Sequence, residues 1–461
     1  MWNRYDILYA LAVGLAAPVW LLKASARKKV YKAFAQRMGR VSDRDPKRPA
    51  VIIHAVSLGE MNATRGLVRR LAELHRGLQF IISTTTDTGY ARAQELYGKD
   101  PSAVVVRYPL DFSSGIRRFL DALRPDLVVL MELEVWPNFI RHCQKRGIPV
   151  LLVNGRITNG SYRNYRLGRG LIRPTFARLT SVCAQDGVYA QRFVDVGARR
   201  ERVSVTGTMK FDTATIGDRV EGDAALAEAL GLAPEALGAA EPSERVWVCG
   251  ATGPGEELIV LGAYRKLLGK FPRLRLVIVP RHPQRFDEVA ELVGKEGFEL
   301  IRRSQAQGAA PGGQQKSKML LPPVILGDTM GELRKFYSLA SVVFVGRSLV
   351  DLGYRQHGSD MIEAAALAKP VIVGPYTTNF AEAMSRFTAA EAMFVVDDAE
   401  QLHESVSVLL STPAQAAEMG RRAQAVVRQN QGATERHAQI ILAQLKHHAF
   451  EAWPTVVGED L

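Results

Sequence analysis

From Pro49 onward, short uninterrupted apolar runs alternate with longer stretches whose apolar residues recur at helical spacing. Strands of a parallel sheet are buried on both faces, so they read as continuous apolar runs rather than as alternating ones. The stretches between the runs are long enough for the crossover helices that parallel strands require. The pattern therefore predicts an α/β chain with parallel sheets covered by helices on both faces.

The apolar runs fall into two groups, which predict two Rossmann-like lobes. The predicted strands of the first lobe are residues 50–56, 80–83, 104–108, 127–131, 150–154, 181–184 and 203–206. Those of the second lobe are residues 246–249, 275–279, 324–326, 342–345, 370–373 and 393–395. A long helix is predicted at about residues 435–450, and two lobes followed by such a helix are typical of the GT-B architecture. Ligands of such sheets bind beyond the carboxyl ends of the strands.

Composition divides the 461-residue chain further. Residues 213–244 are rich in alanine and acidic residues and contain Pro234 and Pro242, which predicts a linker. Residues 304–323 are rich in Gly, Gln and Pro and predict a mobile surface insertion. The predicted division is an anchor with a basic flank (1–28), a first domain (29–212), the linker (213–244), a second domain (245–428), and a terminal helix and tail (429–461).

The N-terminal segment 7–22 is uncharged over 16 residues. As a helix it reaches about 24 Å, a little less than a hydrocarbon core of about 30 Å, so it could span a membrane or lie partly embedded in it. A basic cluster follows, which is expected to stay on the cytoplasmic side: Lys23, Arg27, Lys28, Lys29, Lys32, Arg37 and Arg40. The rival interpretation is a cleaved signal peptide ending at residues 24–26, but the positive charge lies after the apolar run. We therefore expect a single membrane anchor with the body on the cytoplasmic side.

The formal charge of +13 is concentrated near the N-terminus, because residues 1–50 contain eleven Lys and Arg but three acidic residues. Basic residues interleaved with aromatic ones are not found through the body, which disfavours a nucleic-acid-binding protein.

The three cysteines Cys143, Cys183 and Cys249 are widely spaced and lack a Cys-x-x-Cys pattern. They predict neither a disulfide framework nor a structural zinc site.

Loops after predicted strands of the first lobe carry candidate catalytic groups. Glu60 begins a predicted helix after a buried strand. The helix dipole at this position keeps a carboxylate ionised and able to accept a proton. The structural alternative is that glutamate is commonplace in a first helical turn. The segment Glu132–Asn138 offers two carboxylates, an indole and an amide for sugar hydroxyls or for developing positive charge; capping and packing are the alternatives. Lys210, in the segment Gly207–Asp212, is a candidate for contact with an anion.

In the second lobe, Arg281 and His282 follow a predicted strand and suit the phosphate of a nucleotide leaving group. The turn at residues 327–332 contains glycine, and its backbone amides could bind phosphate or ribose. Asp360 and Glu363, at the start of a helix, could hold ribose hydroxyls.

Neither a Walker loop nor a Gly-x-Gly-x-x-Gly fingerprint is present in the sequence. The only Asp-x-Asp pattern, at residues 43–45, precedes the first strand and predicts no metal site.

Together these loops resemble the 3-deoxy-D-manno-octulosonic acid (Kdo) transferase family over about residues 5–440. The motifs that carry the resemblance, in family order, are HAVSLGE (54–60), TTTDTG (84–89), ELEVWPN (132–138), NGR (154–156), KFD (210–212), VPRHPQR (279–285), GDTMGEL (327–333) and FVGRSLV (344–350). Each motif alone is weak, whereas all eight in order are highly specific.

The resemblance implies a GT-B glycosyltransferase at the inner membrane that uses CMP-Kdo as co-substrate and a lipid A precursor as acceptor, with no metal and no further cofactor. It implies that Glu60 is the general base and that Glu132 and Lys210 stabilise the transition state. The CMP contacts that it implies are Arg281, His282, Met330, Gly331, Glu332, Asp360, Met361, Ile362 and Glu363.

The chain departs from the family pattern at two places. Residues 352–360 stand where the family usually has Gly-Gly-His/Gln-Asn, with extra residues and with Asp360 at the asparagine position. Thr208 replaces a usual asparagine, while Lys210 is retained.

The alternative function is that of another enzyme of the same fold, either a lipid glycosyltransferase or a soluble nucleotide-sugar epimerase. An epimerase needs neither an anchor nor a lipid.

Overall fold

The computed structural model describes residues 3–22, 33–232, 244–306, 321–353 and 356–452. The possible cleavage site at residues 24–26, most of the basic cluster and most of the predicted insertion lie outside the described residues. Contacts divide the chain into two compact units. The first runs to Thr213 and resumes at Gln431, and the second is Ala214–Asn430.

The first unit contains a seven-stranded sheet in the order β3-β2-β1-β4-β5-β6-β7, and every neighbouring pair is parallel. Its strands are β1 Ala50–His54, β2 Gln79–Thr84, β3 Ala103–Arg107, β4 Leu127–Met131, β5 Val150–Gly155, β6 Ser181–Ala184 and β7 Val203–Val205. The helices before and between them are α1 Arg4–Leu22, α2 Phe34–Arg37, α3 Leu58–Leu74, α4 Asp87–Tyr97, α5 Ser113–Leu123, α6 Pro137–Lys145, α7 Asn159–Leu167, α8 Arg169–Phe176 and α9 Gly187–Val196.

The second unit repeats the arrangement with a parallel sheet in the order β10-β11-β9-β8-β12-β13-β14. Its strands are β8 Arg245–Thr252, β9 Leu274–Pro280, β10 Leu300–Arg302, β11 Val324–Leu326, β12 Val342–Val345, β13 Val371–Val373 and β14 Met393–Val395. Its helices are α10 Asp223–Ala229, α11 Glu256–Leu268, α12 Phe286–Lys295, α13 Leu333–Leu339, α14 Ile362–Ala366, α15 Ala381–Ala389, α16 Ala399–Ser411 and α17 Pro413–Asn430. The last helix, α18 Ala433–Ala452, belongs to the first unit.

Short 3₁₀ turns complete the list of elements: Arg200–Arg202, Phe211–Thr213, Pro283–Arg285, Arg303–Gln305 and Thr378–Phe380. The predicted parallel α/β lobes are therefore confirmed. Five predicted strands have the observed bounds and the others differ by one to three residues at their ends. Strand β10 was not predicted, because it is short and its three residues are only half-buried.

The apolar cores lie on the faces of the sheets. Ile52 of β1 belongs to a cluster on one face of the first sheet and Ile53 to a cluster on the other, since successive side chains of a strand point to opposite faces. In the second unit, Trp247 and Phe344 lie fully buried in one large cluster. Full burial of each such side chain contributes about 1.5–3 kcal/mol to the free energy of folding. Because a shift of one residue would turn these side chains to the opposite face, burial also fixes the register of the strands whose ends carry the site.

Each sheet has one point at which the strand order reverses, and in α/β sheets ligands bind there. In the first unit β1 lies between β2 and β4, so that the reversal falls between β1 and β4. In the second unit β8 lies between β9 and β12, so that it falls between β8 and β12. Ligands are therefore expected at the loops after these strands.

The predicted N-terminal apolar segment forms most of helix α1, whose first turn is fastened to the first unit. The Asp6 carboxylate accepts hydrogen bonds from the Ser113 amide and hydroxyl, both at 2.8 Å, and the Tyr5 hydroxyl donates to the Leu171 carbonyl at 2.9 Å. Beyond that turn, Leu11 and Leu15 are exposed. No helix within the described residues is both long and apolar enough to cross a bilayer, and the predicted anchor is not confirmed.

Candidate functional site

Helix α3 begins with a capping box that holds Glu60. The Ser57 hydroxyl accepts the Glu60 amide at 3.1 Å, and the Glu60 carboxylate accepts the amides of Val56 and Ser57 at 3.0 and 3.3 Å. Glu60 therefore has a structural task in the first turn of α3. This task does not exclude chemistry, because a carboxylate has about four acceptor positions and the cap fixes its orientation at the end of β1.

Glu132 follows β4, the strand on the other side of the reversal point. Its φ of 51° lies in the left-handed region, where a residue other than glycine is strained, and such strain is often found at functional sites. Burial raises the pKa of Glu132, and the charge of Glu60 raises it further, against the lowering effect of Lys210 and Arg156. Glu60, Glu132 and Lys210 thus belong to one electrostatically coupled cluster in the first unit.

The loop that carries Lys210 is held by Asn154 and by helix α18. The Asn154 side-chain oxygen accepts the Met209 amide at 3.2 Å, and the Asn154 amide donates to His437 Nε2 at 3.4 Å. His437 Nε2 also bonds the Thr206 hydroxyl at 2.8 Å. The Asp212 carboxylate accepts the amides of Gly432 and Thr434 at the start of α18. The terminal helix therefore fixes the segment on both sides of Lys210.

The other polar side chains of the Glu132–Asn138 segment make contacts in different parts of the first unit. The Trp136 indole donates to Glu134 at 3.0 Å, and Glu134 lies 3.8 Å from His54 Nε2. Asn138 is fully buried and bonds Asp6 at 3.1 Å and the Asp111 carbonyl at 2.7 Å. Asn138 therefore fastens helix α1 and is not available to a sugar. These side chains are adjacent along the chain, but their contacts are separate.

In the second unit, Arg281 and His282 are exposed after β9, and the Arg281 amide donates to the Thr252 carbonyl at 3.1 Å. Burial lowers the pKa of His282, and so do the charges of Arg347, Arg281 and Arg285. Arg285 is committed elsewhere, because it forms a two-pronged ion pair with the buried Glu257 at 2.6 and 3.1 Å. A cationic group thus stands at the carboxyl end of β9.

The predicted donor residues 330–332 lie between β11 and α13. Gly331 has a φ of 84°, and a β-carbon there would meet nothing within 4 Å. Met330 is 69% exposed. The Glu332 carboxylate is bound in a fork by Arg303 at 3.0 and 3.2 Å and also accepts from Thr329. Glu332 consequently offers a ligand its backbone more readily than its carboxylate.

The residues of the turn at 360–363 have different roles. Met361 and Ile362 are fully buried, so their side chains do not face a ligand. The Asp360 carboxylate accepts the Ile362 amide at 2.9 Å. Burial raises the pKa of Glu363 to about 7, with a further contribution from Asp360. Asp360 and Glu363 are the members of this group whose carboxylates suit hydroxyl groups of a ligand.

Two residues at the second reversal point had no predicted role. Glu256, fully buried, accepts the amides of Gly253, Arg347, Ser348 and Leu349 at 2.6–2.9 Å and so shapes the loop after β12. Arg347 lies in that loop with a φ of 58°. The sequence signal was present, since the loop lies within the motif FVGRSLV, but its partner Glu256 is 91 positions away.

Within the described part of the chain there is no group of three or more His, Cys, Asp or Glu side chains that could hold a metal ion.

Comparison with known proteins identifies the family of the chain. The family model described as 3-Deoxy-D-manno-octulosonic-acid transferase (kdotransferase) matches residues 32–213. The 3-deoxy-D-manno-octulosonic acid transferase of Bordetella pertussis is 36% identical over 440 residues, which cover 93% of this chain and 97% of that protein. The transferase of the same name from Haemophilus influenzae is 32% identical over 405 residues, or 87% of this chain and 89% of that protein.

A solved glycosyltransferase from Rickettsia africae matches the fold with a TM-score of 0.51 at 14% identity, over 87% of this chain and 99% of that one. That likeness concerns the fold alone, and it agrees with two parallel-sheet lobes of the GT-B kind. Identity above 30% over most of both chains decides the family and does not favour the epimerase alternative. The chain therefore belongs to the 3-deoxy-D-manno-octulosonic acid transferase family and is a glycosyltransferase.

Proposed function

We propose that the enzyme transfers Kdo from CMP-Kdo to a hydroxyl group of a lipid A precursor in lipopolysaccharide core biosynthesis, with inversion at the anomeric carbon. The relatives' name supports Kdo as the transferred sugar. The observation that carries the proposal is the coupled cluster of Glu60, Glu132 and Lys210, of which Glu60 and Glu132 follow the two strands at the reversal point of the first sheet.

Glu60 is the proposed general base. The acceptor oxygen forms a bond to the anomeric carbon and its proton passes to the Glu60 carboxylate. The bond from the anomeric carbon to the phosphate oxygen breaks, and CMP leaves with the electron pair. Attack from the side opposite the leaving group gives inversion. The capping box supports this role because it presents a carboxylate in one orientation.

Glu132 and Lys210 are proposed to stabilise the transition state. An oxocarbenium-like centre gains positive charge while the leaving phosphate gains negative charge, and a carboxylate and an ammonium complement these two changes. Their electrostatic coupling supports a shared role. The Asn154 and His437 contacts hold the Lys210 loop before substrate binds, which lowers the cost of reorganisation.

The second unit is proposed to bind CMP through Arg281, His282, the turn at residues 330–332 and the carboxylates of Asp360 and Glu363. A CMP ester carries a single phosphate charge, which arginine and histidine can neutralise without a divalent ion. We therefore propose a reaction independent of metal.

We further propose that the first unit binds the inner-membrane surface that contains the acceptor, with its catalytic residues on the cytoplasmic side. Helices α7 and α8 carry four exposed arginines and no acidic residue, and Leu167, the last residue of α7, is 84% exposed. The bond from Tyr5 to Leu171 puts the start of α1 beside α8. Exposed apolar residues together with arginines suit the surface of an anionic bilayer.

The proposal is tested by incubating the enzyme with CMP-Kdo, generated in situ, and a lipid A precursor, with and without EDTA. We expect release of CMP and a glycosidic bond whose anomeric configuration, read by NMR, is opposite to that of the donor. Retention of configuration would contradict Glu60 as a direct base, and complete loss of activity in EDTA would contradict metal independence.

A further inference from the structure

Arg347 occupies an unusual place at the reversal point of the second sheet. It follows Gly346 directly after β12, and β12 pairs with β8. A β-carbon at Gly346 would lie 2.5 Å from the Thr252 Cα, so the ends of these two strands approach closely. The φ of 58° at Arg347 is the left-handed conformation that glycine adopts without strain and arginine does not. An arginine is thus held in strained backbone where the fold favours ligand binding.

The side chain of Arg347 runs over the turn that follows β8. A β-carbon at Gly253 would lie 3.0 Å from the Arg347 Cγ, and the amide of Arg281 donates to the carbonyl of Thr252 at 3.1 Å. The Arg281 backbone at Thr252 and the Arg347 side chain at Gly253 therefore lie at the same turn. Their mutual repulsion is consistent with this, since the charge of Arg281 adds to burial in lowering the pKa of Arg347.

Arg281 and Arg347 form no ion pair within the described residues, although the charge of Glu256 acts on Arg347 and that of Glu363 on Arg281. The Glu256 carboxylate is occupied by four backbone amides, and Glu257 is paired with Arg285. Arg347 Nε and the hydroxyl of Thr252 are both buried and have no hydrogen-bond partner among the described residues. Buried polar groups are rarely left unsatisfied, so the Nε–H of Arg347, which belongs to a half-buried side chain, suits a ligand anion.

The proposed donor carries two anions close together. A CMP ester has one negative charge on its phosphate, and an ulosonic acid adds a carboxylate on the anomeric carbon that bears the phosphate. A single arginine with a histidine suffices for the phosphate, whereas a second guanidinium fork matches a carboxylate. The donor thus has two negative groups, and the site has two arginines whose positive charges match them.

We propose that Arg347 binds the carboxylate of the transferred ulosonic acid and so selects an acidic sugar, while Arg281 binds the phosphate. The proposal rests on the proposed function, because it takes a CMP-activated ulosonic acid as the donor. It adds a specificity-determining residue on the loop after β12.

Binding to two probes tests the assignment: CMP, which lacks the carboxylate, and a hydrolysis-resistant CMP-Kdo analogue that keeps it. Arg347→Gly removes the guanidinium and relieves the left-handed backbone, so it should fold. We expect this variant to bind CMP within about twofold of wild type and to lose about 10–100-fold in affinity for the analogue, as for one charge-assisted hydrogen bond. Arg347→Lys should lose less, and Arg281→Gln should weaken both probes.

Two results would overturn the proposal: an Arg347→Gly variant that binds CMP as weakly as Arg281→Gln does, and one that binds the analogue as tightly as wild type does. The first would assign Arg347 to the phosphate and the second would remove it from the site. Failure of the proposed function looks different, because wild-type enzyme would then bind the analogue no more tightly than CMP and would transfer no Kdo.

Discussion

At the residue scale, Glu60 has a structural and a chemical task that one substitution separates. Glu60→Gln keeps one side-chain acceptor for the capping box, so the free energy of unfolding should fall by about 1 kcal/mol or less. Glutamine cannot accept the proton of the acceptor hydroxyl, so transfer should fall by about 10²–10⁴-fold. The rate of transfer and the thermal stability are measured on the same preparation.

Ser57→Ala is the matched control, because it breaks the same capping box and leaves the carboxylate in place. We expect a similar loss of stability with most of the turnover retained. Comparable turnover in Glu60→Gln and in Ser57→Ala would show that Glu60 serves the helix and not the reaction.

Glu363 provides a pH test in the second unit. Its pKa is raised by burial from 4.5 to about 7 in the folded enzyme, so the folded state holds this proton more tightly than the unfolded chain does. The stability that the neutral carboxyl contributes is present below about pH 4.5 and is lost as the pH rises through about 7. Glu363→Gln should therefore raise the melting temperature relative to wild type at pH 8 more than at pH 5. An equal difference at both pH values would refute the assignment.

At the element scale, helix α18 is expected to control catalysis through His437. Burial lowers the pKa of His437 to about 3, so its neutral ring accepts hydrogen bonds from Thr206 and Asn154 throughout the working pH range. His437→Leu removes the acceptor of the Asn154 amide and leaves the Thr206 hydroxyl only the Ala184 carbonyl, at 3.4 Å, which should cost about 1–3 kcal/mol of stability. It should also lower kcat while CMP affinity, a property of the second unit, is unchanged.

His437→Gln restores an acceptor near the position of Nε2 and should recover most of the turnover. A purely structural role would instead give two variants whose kcat values are alike once folded protein is counted. Kinetic constants and CMP titrations on both variants decide between these outcomes.

The sequence predicted the elements better than the site. Continuous apolar runs identified thirteen strands, because burial on both faces leaves a pattern that is local in the chain. The partners of polar side chains are not local. Asn138 bonds Asn3 across 135 positions, and Glu332 is bound by Arg303 across 29, so nothing in their own segments indicated that they were occupied. Likewise, the full burial of Met361 and Ile362 depends on how the second unit packs.

At the scale of the whole molecule, helix α1 is expected to serve membrane binding and not chemistry. Its first turn is part of the first unit, so truncation would disturb buried contacts of Asp6. Leu11→Ser with Leu15→Ser changes exposed positions alone. This variant should sediment less with vesicles that contain anionic lipid, yet turn over detergent-dispersed acceptor at the wild-type rate. Unchanged sedimentation would refute a membrane role for these leucines.

The mass of the lipid product tests the central claim most directly. Folded wild-type enzyme, CMP-Kdo and a lipid A precursor should yield a lipid heavier by one or more whole Kdo units, as read by mass spectrometry. The same incubation with Glu60→Gln should leave the precursor almost unchanged. A wild-type reaction that consumes CMP-Kdo while the lipid keeps its mass would contradict the account.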